Sequence, residues 1–214
     1  MCGICGYVGN GQAAPVLREM LRVMERHRLG FESAGIATVC DGKIFLGKGC
    51  GSVEEVFLLG GDWSGFLQGG VGVGHVRYPS QIMSRLVGEG RFAHPFLSCD
   101  GGIALVHNGA VNDYREIWGE LGGHEFSSFD KRLSMINDSE VIVHLLEDDV
   151  LESRSDVFEA VRETYRRLVR NSMNQLLFAF VWVVEPSKVY VVSGKEWEGK
   201  RKVVVAYREG FGSV

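Results

Sequence analysis

Cys2 is the residue on which a reaction is most readily built. Removal of Met1, expected where a small residue follows it, would leave Cys2 with a free α-amine. Such an amine has a pKa of about 7.7–8.0, so a useful fraction is neutral near pH 7. It can take the thiol proton, directly or through a water, and later return a proton to a leaving amine. Position alone fits a buried, inert cysteine equally well. Cys2 and Cys5 also form a Cys-x-x-Cys, the spacing of redox pairs and zinc knuckles. A redox pair normally follows a strand at a helix start, and no strand precedes this one. A structural zinc needs about four ligands, and no second pair stands at matching spacing. Cys5 therefore reads as a core residue of the first strand, and neither a metal nor a cofactor is expected.

Three further features carry chemistry. Arg77 ends a glycine-rich apolar stretch, Gly74-His75-Val76-Arg77-Tyr78-Pro79-Ser80, where its planar fork suits a carboxylate such as that of a free amino acid. An ordinary surface arginine at a strand end is the competing reading. His107-Asn108-Gly109-Ala110 holds an Asn-Gly pair, which alone signals a hairpin turn. It can also make an oxyanion hole from the Asn108 amide and the Gly109 N–H, each such donor being worth about 10²–10³ in rate. Asn137-Asp138-Ser139-Glu140 precedes an apolar helix. Asp138 or Ser139 can cap that helix, or the Asp138 carboxylate can face a substrate ammonium.

The elements that must position these groups are legible in outline. Gly3–Gly9 reads as a strand running straight from the N-terminus. Ala13–Arg28 places Val16, Leu17, Met20, Leu21, Val23 and Met24 at helical spacing, with Gly30 as a stop. Ala34–Cys40 and Lys43–Gly47 flank Asp41-Gly42, a hairpin signal. Val53–Leu59 reads as a short helix, and Gly70–Val76 and Ile103–His107 as strands. Asn112–Leu121, Ser139–Val150 and Asp156–Val169 follow as helices; in the last, Val157, Val161, Tyr165 and Leu168 share a stripe. Phe178–Val184, Lys188–Ser193 and Lys202–Tyr207 close the chain as strands. Helices fall between groups of strands rather than alternating with them, which argues for stacked sheets with helices outside and against a Rossmann-type repeat.

The 214 residues are enough for one domain with a sizeable core. A net charge of −4 and a pI near 5.9 offer no basic field for nucleic acid or an anionic membrane. The longest apolar run, Leu176–Val184, is too short to span a bilayer as a helix and reads as a buried strand. The start, MCGICGYVGNG, lacks the pattern of a signal peptide, so a cytoplasmic protein is expected. Five cysteines in such a chain argue against a disulfide framework. Twenty-nine glycines against four prolines point to many tight turns between short strands.

Taken in order, the motifs resemble those of the class II glutamine amidotransferases, whose glutaminase domains are N-terminal-nucleophile hydrolases. They are Met-Cys-Gly-Ile at 1–4, Phe-Glu-Ser-Ala-Gly-Ile-Ala at 31–37, Gly-His-Val-Arg-Tyr at 74–78, His-Asn-Gly at 107–109 and Asp-Ser-Glu at 138–140. The wording is most similar to the glutaminase domains of amidophosphoribosyltransferase and glucosamine-6-phosphate synthase. The resemblance implies an α+β fold, a four-layer α/β/β/α sandwich. It implies that Cys2 attacks the glutamine side-chain amide to form a thioester, with Asn108 and Gly109 holding the oxyanion. It assigns Arg77 to the α-carboxylate, Asp138 to the α-ammonium, and Tyr78 and Ser80 to the pocket wall.

The chain departs from the family at Leu29-Gly30-Phe31, where Arg-Gly usually precedes Glu-Ser-Ala-Gly, and along Gln81–Arg91 after Ser80. No synthase domain is read within residues 1–214. The expectation is a glutaminase domain that passes ammonia to a separate synthase partner, without nucleic acid or membrane. Two rivals stand beside it: a glutamine-binding or scaffolding module without catalysis, and an amidase for other amides. Arg77 and Asp138 argue against the second, since together they suit a free α-amino acid.

Overall fold

The computed structural model describes residues 2–59, 63, 65–78, 90–153, 156–170 and 174–194. The expected strand at 202–207, Ser80, and the departure after it up to residue 89 lie outside those residues.

Two antiparallel four-stranded sheets are stacked face to face among the described residues. The first contains β1 (Gly3–Val8), β2 (Ser33–Cys40), β3 (Lys43–Cys50) and β4 (Val71–Arg77), in the order β1-β4-β2-β3. The second contains β5 (Phe96–Leu97), β6 (Ile103–His107), β7 (Leu177–Trp182) and β8 (Tyr190–Ser193), in chain order. Between the sheets lie Ala37, Val39, Val71 and Val73 from one side and Ala104, Val106, Ala179 and Val181 from the other. Small and β-branched side chains on alternate positions are what allow two pleated faces to pack closely.

Helix α1 (Ala13–Arg26) covers the outer face of the first sheet with Ala13, Ala14, Leu17 and Leu21. Its buried stripe is narrower than the sequence pattern: Val16, Met20 and Val23 are exposed, because an extra apolar residue beside a stripe does not turn that side inward. Helices α2 (Tyr114–Glu120), α3 (Glu140–Glu152) and α4 (Val157–Leu168) cover the second sheet, with α3 packed between that sheet and α4. Ten of the thirteen residues of α3 are buried, Glu140, His144, Glu147 and Asp149 among them, so the helix is enclosed nearly all round. Asp156 caps α4, accepting from the N–H groups of Phe158 and Glu159 at 3.0 and 3.2 Å. The layers run α/β/β/α, the sandwich the resemblance implied.

Asp41-Gly42 makes the β2–β3 turn with both residues at positive φ (50° and 70°), as a two-residue hairpin loop requires. Val53–Leu59 is less regular than expected: its second part, Glu55–Leu59, is a single π-helical turn. The two-residue β5 had no sequence signal of its own.

Candidate active site

Three strand ends meet at Cys2. β1 begins at Gly3, which pairs with Val76 of β4, so Cys2 lies alongside the end of β4. There the Tyr78 N–H points at the Cys2 thiol, with N···Sγ 3.5 Å. β6 ends at His107, and the next residue, Asn108, donates its side-chain amide to the Cys2 carbonyl at 2.9 Å. An amide NH₂ carries two donors, so anchoring Cys2 engages one and leaves the other.

The Asn-Gly pair is thus not a hairpin turn. The Asn108 and Ala110 N–H groups are tied to the carbonyls of Leu177 and Gln175 at 2.8 and 3.2 Å, while the Gly109 N–H between them has no partner among the described residues. Glycine is required here: a Cβ on Gly109 would lie 1.8 Å from the Gln175 carbonyl oxygen.

His107 is buried behind this turn. Its Nε2 donates to the Gln175 carbonyl at 2.9 Å, which leaves Nδ1 to accept from the Ser139 hydroxyl at 2.9 Å. Burial pushes His107 below the usual histidine range, with Asp138 pulling the other way. Ser139 stands at the start of α3 but makes no side-chain cap, and Asp138 accepts from the Val111 N–H at 2.8 Å instead. The capping reading of this motif is therefore corrected, since both side chains turn toward the β6 end rather than the helix.

Arg77 is mostly buried, its Nε 3.4 Å from the Glu32 carboxylate and its Nη1 3.3 Å from the Phe92 carbonyl. Two consecutive N–H groups, of Phe31 and Glu32, bind the Arg77 carbonyl at 2.8 and 3.0 Å. Arg77 is therefore no surface arginine, and some of its donors remain beyond these two contacts. The Tyr78 ring is 42% exposed and packs edge-on against Phe31, 5.9 Å between centroids. Phe31, part of the departure from the family pattern, thus lies against Tyr78.

Burial pushes the Cys2 thiol up; the Tyr78 N–H and Arg77 oppose that shift, and Asp138 adds to it. The resting group is the thiol, and a base must remove its proton. Cys5, three residues on in the same motif, is buried in the first sheet and pushed up to about 12. All five cysteines are free.

Sequence reasoning brought Cys2, Arg77, Tyr78, Asn108, Gly109 and Asp138 to this region but gave no role to Glu32 or His107 and read Ser139 only as a helix cap. The first is the charge partner of Arg77; the others brace the Asn108-Gly109 turn. Their signal was adjacency, since each stands within or beside a quoted motif. A second grouping of ligating side chains, Cys99, His124, His144 and Glu147, lies around α3.

No family model matches the chain. It is 35% identical over 195 residues to glutamine–fructose-6-phosphate aminotransferase (isomerizing) of Pyrococcus horikoshii, a match over 89% of this chain and 29% of that protein. The corresponding protein of Thermus thermophilus is 35% identical over 185 residues, 84% of this chain and 28% of that one. Among solved structures, the B. subtilis glutamine phosphoribosylpyrophosphate amidotransferase matches with a TM-score of 0.56 and 25% identity, over 86% of this chain and 35% of that one. This chain thus spans less than a third of the length of those curated relatives, 29% for the first.

Proposed function

We propose that this chain, which belongs to the class II glutamine amidotransferase domains, hydrolyses the side-chain amide of glutamine through Cys2. The observation that carries the reading is the convergence on Cys2 of the Tyr78 N–H and the Asn108 amide, with a Gly109 N–H on the same turn that has no partner among the described residues.

The α-amine of Cys2, exposed when Met1 is removed, takes the thiol proton. Sγ bonds to the amide carbon, and the oxyanion is held by the second N–H of Asn108 and by Gly109. As the C–N bond breaks, the ammonium form of the base returns its proton and ammonia leaves. Water then adds to the thioester carbon, the C–S bond breaks, and glutamate is released with the thiol restored. Arg77 takes the α-carboxylate, Asp138 the α-ammonium, and Tyr78 lines the pocket.

The two relatives' names couple glutamine to different acceptors, fructose-6-phosphate and phosphoribosylpyrophosphate. The acceptor is therefore the synthase's property, and we place that synthase on a separate partner.

The test is intact mass before and after treatment with 6-diazo-5-oxo-L-norleucine. The expected species lacks Met1 and gains one label, which excess glutamine suppresses. A processed chain that takes no label sinks the catalytic reading and leaves glutamine binding alone. In a labelling-competent protein, Asn108→Ala should lower kcat by about 10²–10³ with a smaller change in KM. An unchanged kcat would remove Asn108 from the oxyanion hole.

A further inference from the structure

Four side chains from three separate segments point their donor atoms at one spot outside the active site. They are Cys99 at the β5–β6 turn, His124 after α2, and His144 and Glu147 one turn apart on α3, and their ligand atoms all lie within 4.8 Å of one another. His144 Nδ1 is 3.1 Å from Glu147 Oε2, and His124 Nδ1 is 3.2 Å from the same oxygen. Cys99 Sγ is 3.4 Å from His124 Nδ1 and 3.7 Å from His144 Nδ1. A tetrahedral zinc with bonds of about 2.0–2.3 Å has ligand–ligand edges of about 3.2–3.8 Å. The four measured edges fall at or near that range.

The protons make the same point. His124 Nε2 faces the Asp148 carboxylate at 3.0 Å, which fixes the proton there. In the neutral ring Nδ1 then presents a lone pair to the Glu147 oxygen at 3.2 Å, an opposition that a cation between them relieves. Carboxylate–histidine–metal is the arrangement that orients such a ligand. Glu147 is itself fixed, accepting from the Cys99 and Asp100 N–H groups at 3.0 and 3.3 Å. The Glu125 N–H points at Cys99 Sγ at 3.4 Å, as suits a thiolate. His144 is buried and Cys99 exposed, so an ion has a way in.

We propose that Cys99, His124, His144 and Glu147 form a four-coordinate zinc site. The mixed S, N and O donor set in tetrahedral spacing selects zinc over magnesium or calcium, which take oxygen ligands. The ion clamps the β5–β6 turn and the segment after α2 onto α3. That segment is already held further along, where the Glu140 carboxylate accepts from the N–H and hydroxyl groups of Ser127 and Ser128. The role is structural: all four positions are filled by protein, with none left open for a substrate.

No sequence motif marks the site, because these four residues are spaced 25, 20 and 3 residues apart and match no zinc-finger pattern. The expectation of no metal is set aside by this proposal.

The test uses the full chain, stripped with a chelator and reloaded with cobalt or zinc. One ion per chain is expected, with the intense visible bands of tetrahedral cobalt and a thiolate-to-cobalt band in the near ultraviolet. Cys99→Ser should abolish the thiolate band, while Cys2→Ala should leave it. Asp148→Asn should weaken zinc by about 10–100-fold, and His124→Gln by more. Circular dichroism checks that the variants are folded; Cys99 and Asp148 lie at the surface, so those two substitutions leave the core intact. Less than one ion per chain at saturation, octahedral cobalt bands, or affinity unmoved by Cys99→Ser and His124→Gln would overturn the site. The last result would show adventitious binding only.

Discussion

Cys2→Ala should lower glutamine hydrolysis by more than about 10⁴-fold, to a level set by the oxyanion donors and binding alone. Without the sulfur there is no covalent path, and water must attack an unactivated amide directly. Cys2→Ser should fare little better, because the surroundings are suited to a thiol. Burial holds the proton on, and the Tyr78 N–H and Arg77 offer modest help to the thiolate that forms during attack. A hydroxyl starts with a far higher pKa and gains no more from the same groups. Glutamine binding by calorimetry should survive in Cys2→Ala, since Arg77 and Asp138 are untouched. Cys5→Ala separates this mechanism from a redox pair: Cys5 is buried and pushed up to about 12, so it is inert, and its removal should leave labelling at Cys2 in place. Turnover in Cys2→Ala within tenfold of the parent would end the proposal.

The legible and illegible parts of this chain differ in how local their causes are. Helix α4 and the β2–β3 hairpin were readable because a capping aspartate, an Asp-Gly turn and short-range periodicity fix them. The layer order was implied by the family resemblance, and helices grouped between runs of strands agreed with it. β5 was missed because it is two residues held by pairing with β6, from Phe96↔Leu105 and Leu97↔Ala104. The Asp138-Ser139 motif was open to two readings because a cap and a site use the same side chains; only the placement of Val111 and His107, which are distant in sequence, decides between them. Glu32 and Arg77 are 45 residues apart and meet because β2 and β4 are neighbours, with Ser33 opposite Arg77. Gly109 looked like a turn residue but is demanded by the Gln175 carbonyl across the bridge at Ala110. What chain order alone withholds is this set of long-range pairings, and the chemistry at Cys2 depends on them.

Below about pH 6.5 the fold should lose stability faster than carboxylate titration explains, because it buries neutral histidines. His75 on β4 and His94, which follows Phe92 on the approach to β5, are stacked at 4.0 Å between ring centroids and are both buried. Their ring nitrogens have no well-formed hydrogen bond among the described residues. Burial, then the charges of Arg77 and His107, pushes His75 down to about 3. Burial and the neighbouring His75 hold His94 well below the usual range, with His107, Arg77 and Lys48 adding to the effect. Lys48 is itself pushed down to about 8 by burial, its ammonium held on the carbonyls of Ala93 and Pro95 at 2.7 and 3.0 Å, and Glu140 partly offsets that shift. The charged side chains that bear on the pair from β3 and β4, Lys48 and Arg77, are both positive, and protonating either ring would add a like charge.

The sign follows from linkage. Between pH 6.5 and 5 the unfolded chain binds protons on these rings while the folded chain does not, so stability falls as pH falls. Each such histidine contributes about 1.4 kcal/mol per pH unit once the unfolded ring is fully titrating, so the pair contributes about 3 kcal/mol per unit near pH 5. Urea unfolding at pH 7.5, 6.5, 5.5 and 5.0 reads this slope. His94→Phe removes one ring and its unpaired nitrogens while keeping an aromatic face for His75 and Phe96. Its curve should be shallower than the parent's by about 1.4 kcal/mol per unit, and the difference cancels histidines elsewhere in the fold. Parallel curves for parent and variant would show that His94 takes up a proton in the folded state, and that the stacked pair is not the neutral core its geometry implies.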